Sequence, residues 1–127
     1  MKRKVLVLGA TGFIGRNIAE HFALSVDVEV YGTFHHSEPL KHPNIQMLPA
    51  DLTDKKQVNH VVKGKDVVII AAAITSGAKD IINNPHFHIA DTAVMNSWIL
   101  SSVYENETPH VFFLSCSIVY QSSNQPT

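Results

Sequence analysis

Short apolar runs alternate with longer amphipathic stretches along the 127 residues of the chain. Five runs are rich in β-branched or other apolar residues, which is typical of buried strands. These predicted strands are residues 5–8, 28–33, 45–48, 66–71 and 111–114. Apolar residues at helical spacing predict helices over residues 13–24, 54–62 and 85–104. The apolar stripe of the first helix consists of Ile14, Ile18, Phe22 and Ala23.

The order of these elements predicts the fold class. Strands and helices alternate along the chain, and this alternation implies a parallel sheet with helices on both faces. The expected architecture is α/β, a doubly wound parallel sheet of about five strands in the order 3-2-1-4-5. The sequence contains no internal repeat and no linker, so we expect residues 1–127 to form one domain.

A glycine-rich segment, GATGFIG at residues 9–15, lies between the first predicted strand and the first predicted helix. Gly9 allows a tight turn, Gly12 lets a pyrophosphate approach the backbone, and Gly15 lets the helix pack close to the strand. The start of the helix adds free N–H groups and a partial positive charge. The segment therefore predicts dinucleotide binding, with a plain glycine-rich turn as the alternative. The other candidate contacts in this segment are Thr11, Phe13 and Ile14.

The spacing of the three glycines resembles that of the short-chain dehydrogenase/reductase superfamily. It is most similar to the extended branch, the NAD(P)-dependent epimerase/dehydratase family of nucleotide-sugar enzymes. The resemblance covers nearly the whole chain and implies a Rossmann-type fold and hydride transfer through NAD(P). Asp51 and Leu52 match a pair that contacts adenine in the family. Ala71, Ala72 and Ala73 match a stretch along the cofactor, where the dinucleotide leaves no room for larger side chains.

The segment FFLSCSIVY, residues 112–120, resembles the family's fifth strand and its Ser/Thr segment ending in Val-Tyr-Gly. The resemblance places the family's catalytic Ser/Thr at Cys116, four residues before Tyr120, with Ser117 as the alternative after a local shift. A thiol is a poor hydrogen-bond donor. Three possibilities therefore remain open: Ser117 takes the role, Cys116 donates weakly, or the site is not catalytic. Cys116 also suits a small, buried position at a strand end.

The family's acid/base dyad, Tyr-x-x-x-Lys, is absent from this sequence. None of the three tyrosines, Tyr31, Tyr104 and Tyr120, is followed by a lysine four residues later. We therefore expect the N-terminal, cofactor-binding half of a longer epimerase, dehydratase or reductase, truncated before the dyad and the domain that binds the nucleotide sugar. On its own this half is expected to be inactive. The alternative is a non-catalytic NAD(P)-binding sensor or regulatory module of the atypical type.

The end of the second predicted strand bears on the choice between NAD and NADP. An acidic residue usually binds the NAD ribose at this point, but this chain has Thr33 there, followed closely by His35 and His36. The absence of a carboxylate permits a 2′-phosphate, and His35 or His36 is a candidate to bind or partly neutralise it. Two surface histidines in a loop are the alternative reading. We expect NADP or NAD as the cofactor, with a preference for NADP.

Composition and charge argue against several other classes of protein. Ten Lys and Arg residues against eleven Asp and Glu residues give a formal net charge of −1, which argues against strongly electrostatic binding to nucleic acid or membrane surfaces. The single cysteine excludes an internal disulfide framework. No apolar run reaches the roughly 18 residues of a membrane span. The histidine pairs lack metal-site spacing, so no metal site is expected. A cytoplasmic location is the default expectation.

The third predicted helix, residues 85–104, is apolar over more than the roughly 100° that faces a sheet. Its apolar residues include Ala93, Val94, Met95, Trp98, Ile99, Leu100 and Val103. The family resemblance implies that this helix packs against its copy in a second subunit. We therefore expect a homodimer through helix 85–104, with Trp98 near the contact. In the alternative, Trp98 fills the helix–sheet core of a monomer.

Overall fold

A parallel sheet lies at the centre of the fold. The computed structural model describes residues 1–74 and 82–115, and in this part of the chain the sheet has five strands. They are β1 (Arg3–Leu8), β2 (Val28–Phe34), β3 (Ile45–Pro49), β4 (Val67–Ile70) and β5 (His110–Phe113). Their order is β3-β2-β1-β4-β5 and every neighbouring pair is parallel. The predicted α/β class and the predicted strand order are confirmed.

Three helices of eight or more residues connect the strands within the described ranges: α1 (Phe13–Phe22), α2 (Lys55–Val62) and α3 (Pro85–Glu105). The start of α2 shows why the sequence folds as predicted here. The Asp54 side chain accepts hydrogen bonds from the backbone N–H groups of Lys56, at 2.8 Å, and Gln57, at 3.3 Å. These bonds satisfy donors that a helix leaves unpaired in its first turn.

The core consists of two apolar clusters, one on each face of the sheet. On one face, the inward residues of β1 and β4 pack against α2 and α3, through side chains such as Leu6, Val62 and Ile99. On the other face, residues such as Val5 and Val30 pack against α1. Strand β1 is therefore buried on both faces, which explains why its sequence is a continuous apolar run rather than an alternating one.

Helix α1 contacts the sheet through small residues. Gly15 and Ala19 are buried, and Ile18 and Phe22 are partly buried against the same core cluster. Ile14, the first residue of the predicted apolar stripe, is 56% exposed. Its assignment to the core-facing stripe is therefore wrong. The buried residues of α1 are Gly15 and Ala19 instead.

Helix α3 buries one side and exposes another. Met95, Ile99 and Val103 belong to the core, and the partly buried Trp98 packs against them. Leu100 and other large apolar residues of α3 remain exposed. Although α3 has 21 residues, no helix in the described part of the chain is both long and apolar enough to cross a membrane.

Strand β5 is apolar but exposed. It lies at an edge of the sheet, pairs with β4, and presents Phe112 at 57% and Phe113 at 54% exposure. Leu114, which follows the strand, is also exposed. Exposed apolar residues on a strand edge are a common feature of association surfaces.

Burial in the sheet predicts that alanine substitutions at two leucines change the free energy of unfolding by very different amounts. Leu6 of β1 is fully buried, whereas Leu24, after α1, is 80% exposed. Leu6→Ala is expected to lower the free energy of unfolding by about 2–5 kcal/mol, because it leaves a cavity between β1 and the helices. The matched control Leu24→Ala should change it by less than about 0.5 kcal/mol. Urea denaturation measures both, and equal losses would contradict the described core.

Candidate functional site

A cavity of about 860 Å³ opens where β1, β2, β3 and β4 end. The carboxyl ends of parallel strands meet at one edge of a sheet, and the strand order reverses between β1 and β4, which is where such sheets form a crevice. All the predicted cofactor contacts except Gly15 line this cavity. They are Gly9, Thr11, Gly12, Phe13, Ile14, Thr33, His35, His36, Asp51, Leu52, Ala71, Ala72 and Ala73. The fold thus brings together residues that are as much as 64 positions apart in the sequence.

Gly9 begins the loop that forms one wall of the cavity. Its φ is +78°, a left-handed conformation that favours glycine. A Cβ at this position would lie 2.6 Å from the Cα of Ala72, so the loop also passes too close to the end of β4 for any side chain. Both the backbone conformation and this contact therefore require glycine.

Gly12 and Gly15 differ in what the fold demands of them. A Cβ at position 15 would lie 2.1 Å from the carbonyl oxygen of Gly9, which excludes a side chain where α1 meets the loop. A Cβ at position 12 would meet only that same oxygen, at an ordinary 3.5 Å. Packing within the protein therefore explains Gly15 but not Gly12, whose missing side chain leaves open space above the loop.

Thr33 fixes the loop to the end of β2. Its side chain is only 1% exposed, and its hydroxyl accepts a hydrogen bond from the N–H of Gly9 at 3.0 Å. The carbonyl of Thr33 accepts a second bond, from Ala10 at 3.1 Å. Thr33 is at the predicted position, but its hydroxyl holds the loop in place. The exposed residues at this end of the cavity are His35, His36 and Ser37.

The two histidines lie beside a carboxylate from the loop after β3. The ring centroids of His35 and His36 are 3.8 Å apart, and Nε2 of His35 lies 4.0 Å from Oδ2 of Asp51. Asp51 accepts hydrogen bonds from the hydroxyl of Thr53, at 2.6 Å, and from its N–H, at 2.9 Å. These bonds are the main cause that lowers the pKa of Asp51 below its ordinary value, and the nearby His35 and His36 lower it further.

The wall after β4 is built from small residues. Ala71 continues the sheet pairing by donating its N–H to the carbonyl of Leu8 at 3.0 Å. Ala72 contacts the loop at Gly9, and Ala73 is exposed. Their short side chains keep this side of the cavity open. Leu52, which also lines the cavity, packs against the core.

Several residues that line the cavity were not predicted: Phe34, Ser37, Ala50, Thr53, Ile74, Asp91 and Met95. Asp91 and Met95 come from α3, which packs across the sheet face next to β4. They are four residues apart and therefore share a face of the helix. That spacing could have identified Asp91 and Met95 as lining residues only if the orientation of α3 relative to the glycine loop had been known.

The candidate catalytic residues Cys116 and Ser117 lie outside the described residues. The last described residue of that segment, Ser115, is exposed just after β5. Within residues 1–74 and 82–115, His, Asp and Glu side chains form no group of three or more that could hold a metal ion.

Comparison with known proteins agrees with this geometry. The sequence model described as the NAD dependent epimerase/dehydratase family matches residues 5–127. Among curated proteins, the UDP-N-acetyl-alpha-D-glucosaminuronate decarboxylase of Bacillus cytotoxicus is 35% identical over 80 residues, which cover 58% of this chain and 25% of the decarboxylase. The chain thus spans about a quarter of the length of that relative.

Solved structures share the fold. The PbgP3 protein of Burkholderia pseudomallei superposes with a TM-score of 0.78 and 28% identity, over 94% of this chain and 37% of that one. The Bordetella bronchiseptica enzyme WbmH, solved in complex with NAD⁺, has a TM-score of 0.69 and 22% identity, over 87% of this chain and 38% of its own. At that identity the likeness to WbmH shows the fold alone.

The geometry of the glycine loop predicts that two similar substitutions lower the free energy of unfolding by different amounts. Gly15→Ala should lower the free energy of unfolding by about 1–3 kcal/mol or more, because its Cβ would collide with the Gly9 carbonyl. This outweighs the gain of about 1 kcal/mol that alanine normally brings to a helix. The matched control Gly12→Ala should cost less than about 1 kcal/mol, mainly through the cap position. Thermal unfolding distinguishes the two, and a more stable Gly15→Ala variant would refute the described contact.

Proposed function

The chain belongs to the NAD dependent epimerase/dehydratase family, and from this we propose that it forms the dinucleotide-binding portion of a nucleotide-sugar enzyme. The observation that carries the proposal is the open space above Gly12, in a loop whose other glycines are needed by the fold itself. A bound nicotinamide dinucleotide supplies hydride-transfer chemistry. The parent activity would be that of an epimerase, a dehydratase or a reductase acting on a nucleotide sugar.

The start of α1 is suited to hold the pyrophosphate. Gly12 is the N-cap of α1 and provides no side-chain hydrogen bond to the first turn, in contrast to Asp54 at the start of α2. The first-turn N–H groups of α1 therefore lack the side-chain cap that α2 has. Such groups, together with the helix dipole, attract an anion. Phe13 and Ile14, exposed beside the loop, would then contact the dinucleotide.

The adenosine half of the dinucleotide would lie along the ends of β2 and β3. Asp51 and Leu52 would contact the adenine, and Ala71, Ala72 and Ala73 would line the path towards the nicotinamide. We propose a preference for NADP over NAD, because the exposed end of β2 carries two histidines and no carboxylate.

The chain itself would bind a dinucleotide without turning over substrate. The sequence contains no tyrosine followed by a lysine four residues later, so it lacks the acid/base dyad that the family resemblance implies. Cys116 and Ser117 remain candidates for the hydrogen-bonding Ser/Thr position. A non-catalytic sensor would bind in the same way, and measured turnover by this chain would exclude it.

We also propose a homodimer through α3. Leu100 and Tyr104 are exposed on this helix, and an apolar helix face of this kind favours burial against a partner. Trp98 is only partly available to such a contact, since it packs against the core and has the Nζ of Lys55 5.5 Å from its ring centroid.

Binding through the loop is tested with Gly12→Val. The unmodified chain is expected to bind NAD(P) in calorimetry and to show no epimerase or reductase turnover. Gly12→Val should abolish binding, because the side chain would fill the space left for the pyrophosphate, while the circular dichroism spectrum stays unchanged. Leu24→Val, at the opposite end of α1, is the control and should bind normally. Unchanged affinity in Gly12→Val would show that the loop is not the phosphate site.

Dimerisation is tested by sedimentation at micromolar concentration. A species heavier than the 14.0 kDa monomer is expected. Leu100→Lys should shift it to the monomer, because a charge would be buried in the contact. Val26→Lys replaces an apolar residue away from α3 that is also exposed, at 78% against 53% for Leu100, and should leave the larger species intact. A clean monomer for the unmodified chain, or the same response to both variants, would refute the α3 interface.

A further inference from the structure

We propose that His35, His36 and Asp51 make dinucleotide choice depend on pH, so that NADP is favoured while the histidines are protonated and loses that advantage as the pH rises. This inference rests on the proposed function and adds a regulation of the same site. It concerns only the end of the cavity that would meet the 2′-phosphate, the one group that distinguishes NADP from NAD.

The lining of the cavity has an unusual charge composition for a site that would hold a phosphate. Among the described residues that line it there is no lysine and no arginine. Its charged or titratable side chains are His35, His36, Asp51 and Asp91. The two histidines are therefore the only side chains in the described lining that can carry positive charge, and they are the candidate charged partners of a 2′-phosphate.

Carboxylates also lie in and beside this lining. The hydrogen bonds from Thr53 hold the pKa of Asp51 below the ordinary value. Asp54, at the start of α2, has its pKa lowered by Gln57 and Lys56 and feels the charge of Asp51. Asp91 faces the cavity from α3. Histidine is the residue type whose charge generally changes between about pH 5 and 8, and His35 and His36 are the two histidines in the described lining.

The sign of the effect follows from these charges. With both histidines neutral, the described lining carries two carboxylates and repels a phosphate. With both protonated, the imidazolium charges offset the carboxylates next to the position of the phosphate. NADP binding should therefore weaken as the pH rises, whereas NAD, which has a ribose hydroxyl in place of the phosphate, should bind with little change.

The distance between the two rings adds a second consequence. Two imidazolium rings with centroids 3.8 Å apart would repel each other, although Asp51 at 4.0 Å from His35 offsets one charge. A phosphate beside the pair would offset the other charge and favour the doubly protonated state. Binding of NADP should therefore take up protons from the solvent, as linkage requires, and binding of NAD should not.

The test is calorimetric titration of the full chain with NADP⁺ and with NAD⁺. Between about pH 6 and pH 8, the affinity for NADP⁺ is expected to fall by about fivefold or more, and that for NAD⁺ by less than about twofold. Near pH 7, buffers with different ionisation enthalpies report the number of protons exchanged. A net uptake is expected with NADP⁺ only.

The histidines are tested with the double variant His35→Gln/His36→Gln. Both side chains are exposed in a loop, and glutamine keeps hydrogen-bonding capacity without a titratable charge. The variant should lose the pH dependence of NADP⁺ affinity and the proton uptake. The control is His60→Gln, at an exposed position of α2 outside the cavity lining, which should retain both.

The outcomes distinguish the inference about pH from the proposed dinucleotide binding on which it rests. NADP⁺ affinity that is equal at both pH values, or a pH dependence that survives in the double variant, overturns the inference and leaves the proposed function standing. The second of these results would assign the effect to the titration of the 2′-phosphate itself. If neither dinucleotide binds at any pH, the proposed function fails and the inference fails with it.

Discussion

The close approach of α1 to the loop after β1 is the constraint on which the rest of the site depends. The Gly9 carbonyl lies where any side chain at position 15 would be, and Gly9 itself lies against Ala72 at the end of β4. Three chain segments thus meet without intervening side chains. Thr33 completes the arrangement by bonding the Gly9 N–H from the end of β2. The start of α1 is thereby held at the point where the strand order reverses, and this creates the crevice.

Two helices that begin at the same edge of the sheet differ in their N-termini, and this constraint does not account for the difference. α2 begins after a polar turn and satisfies its first N–H groups with the Asp54 side chain. α1 begins at Gly12, where a side chain is compatible with the fold but absent. A capping side chain is therefore compatible with the fold at the start of both helices, but only α2 has one. The omission has no packing reason in the described residues. The anion binding proposed above would account for it.

The sequence patterns predicted the strand order and the glycine loop, because these depend on local periodicity and on spacing along the chain. Asp51, Leu52 and the three alanines of the lining were expected from the family resemblance instead. Three features depended on packing instead. Thr33 was expected to face a ribose, but its burial and its bond to Gly9 follow from the loop crossing the end of β2. Ile14 was assigned to the core stripe, although small residues make the close contact of α1. Asp91 and Met95 reach the cavity only through the orientation of α3.

Backbone and side chains contribute to the site in different ways. In the described lining, the carboxylates of Asp51 and Asp91 oppose an anionic ligand, and no lysine or arginine offsets them. Under the proposed function, attraction for a pyrophosphate would come from the N–H groups and the dipole of α1, which do not titrate. His35 and His36, which follow the end of β2, are the only side chains in this described lining that can carry positive charge. If the proposals hold, the cavity would combine a backbone anchor that suits any dinucleotide with a histidine-bearing end that responds to the 2′-phosphate.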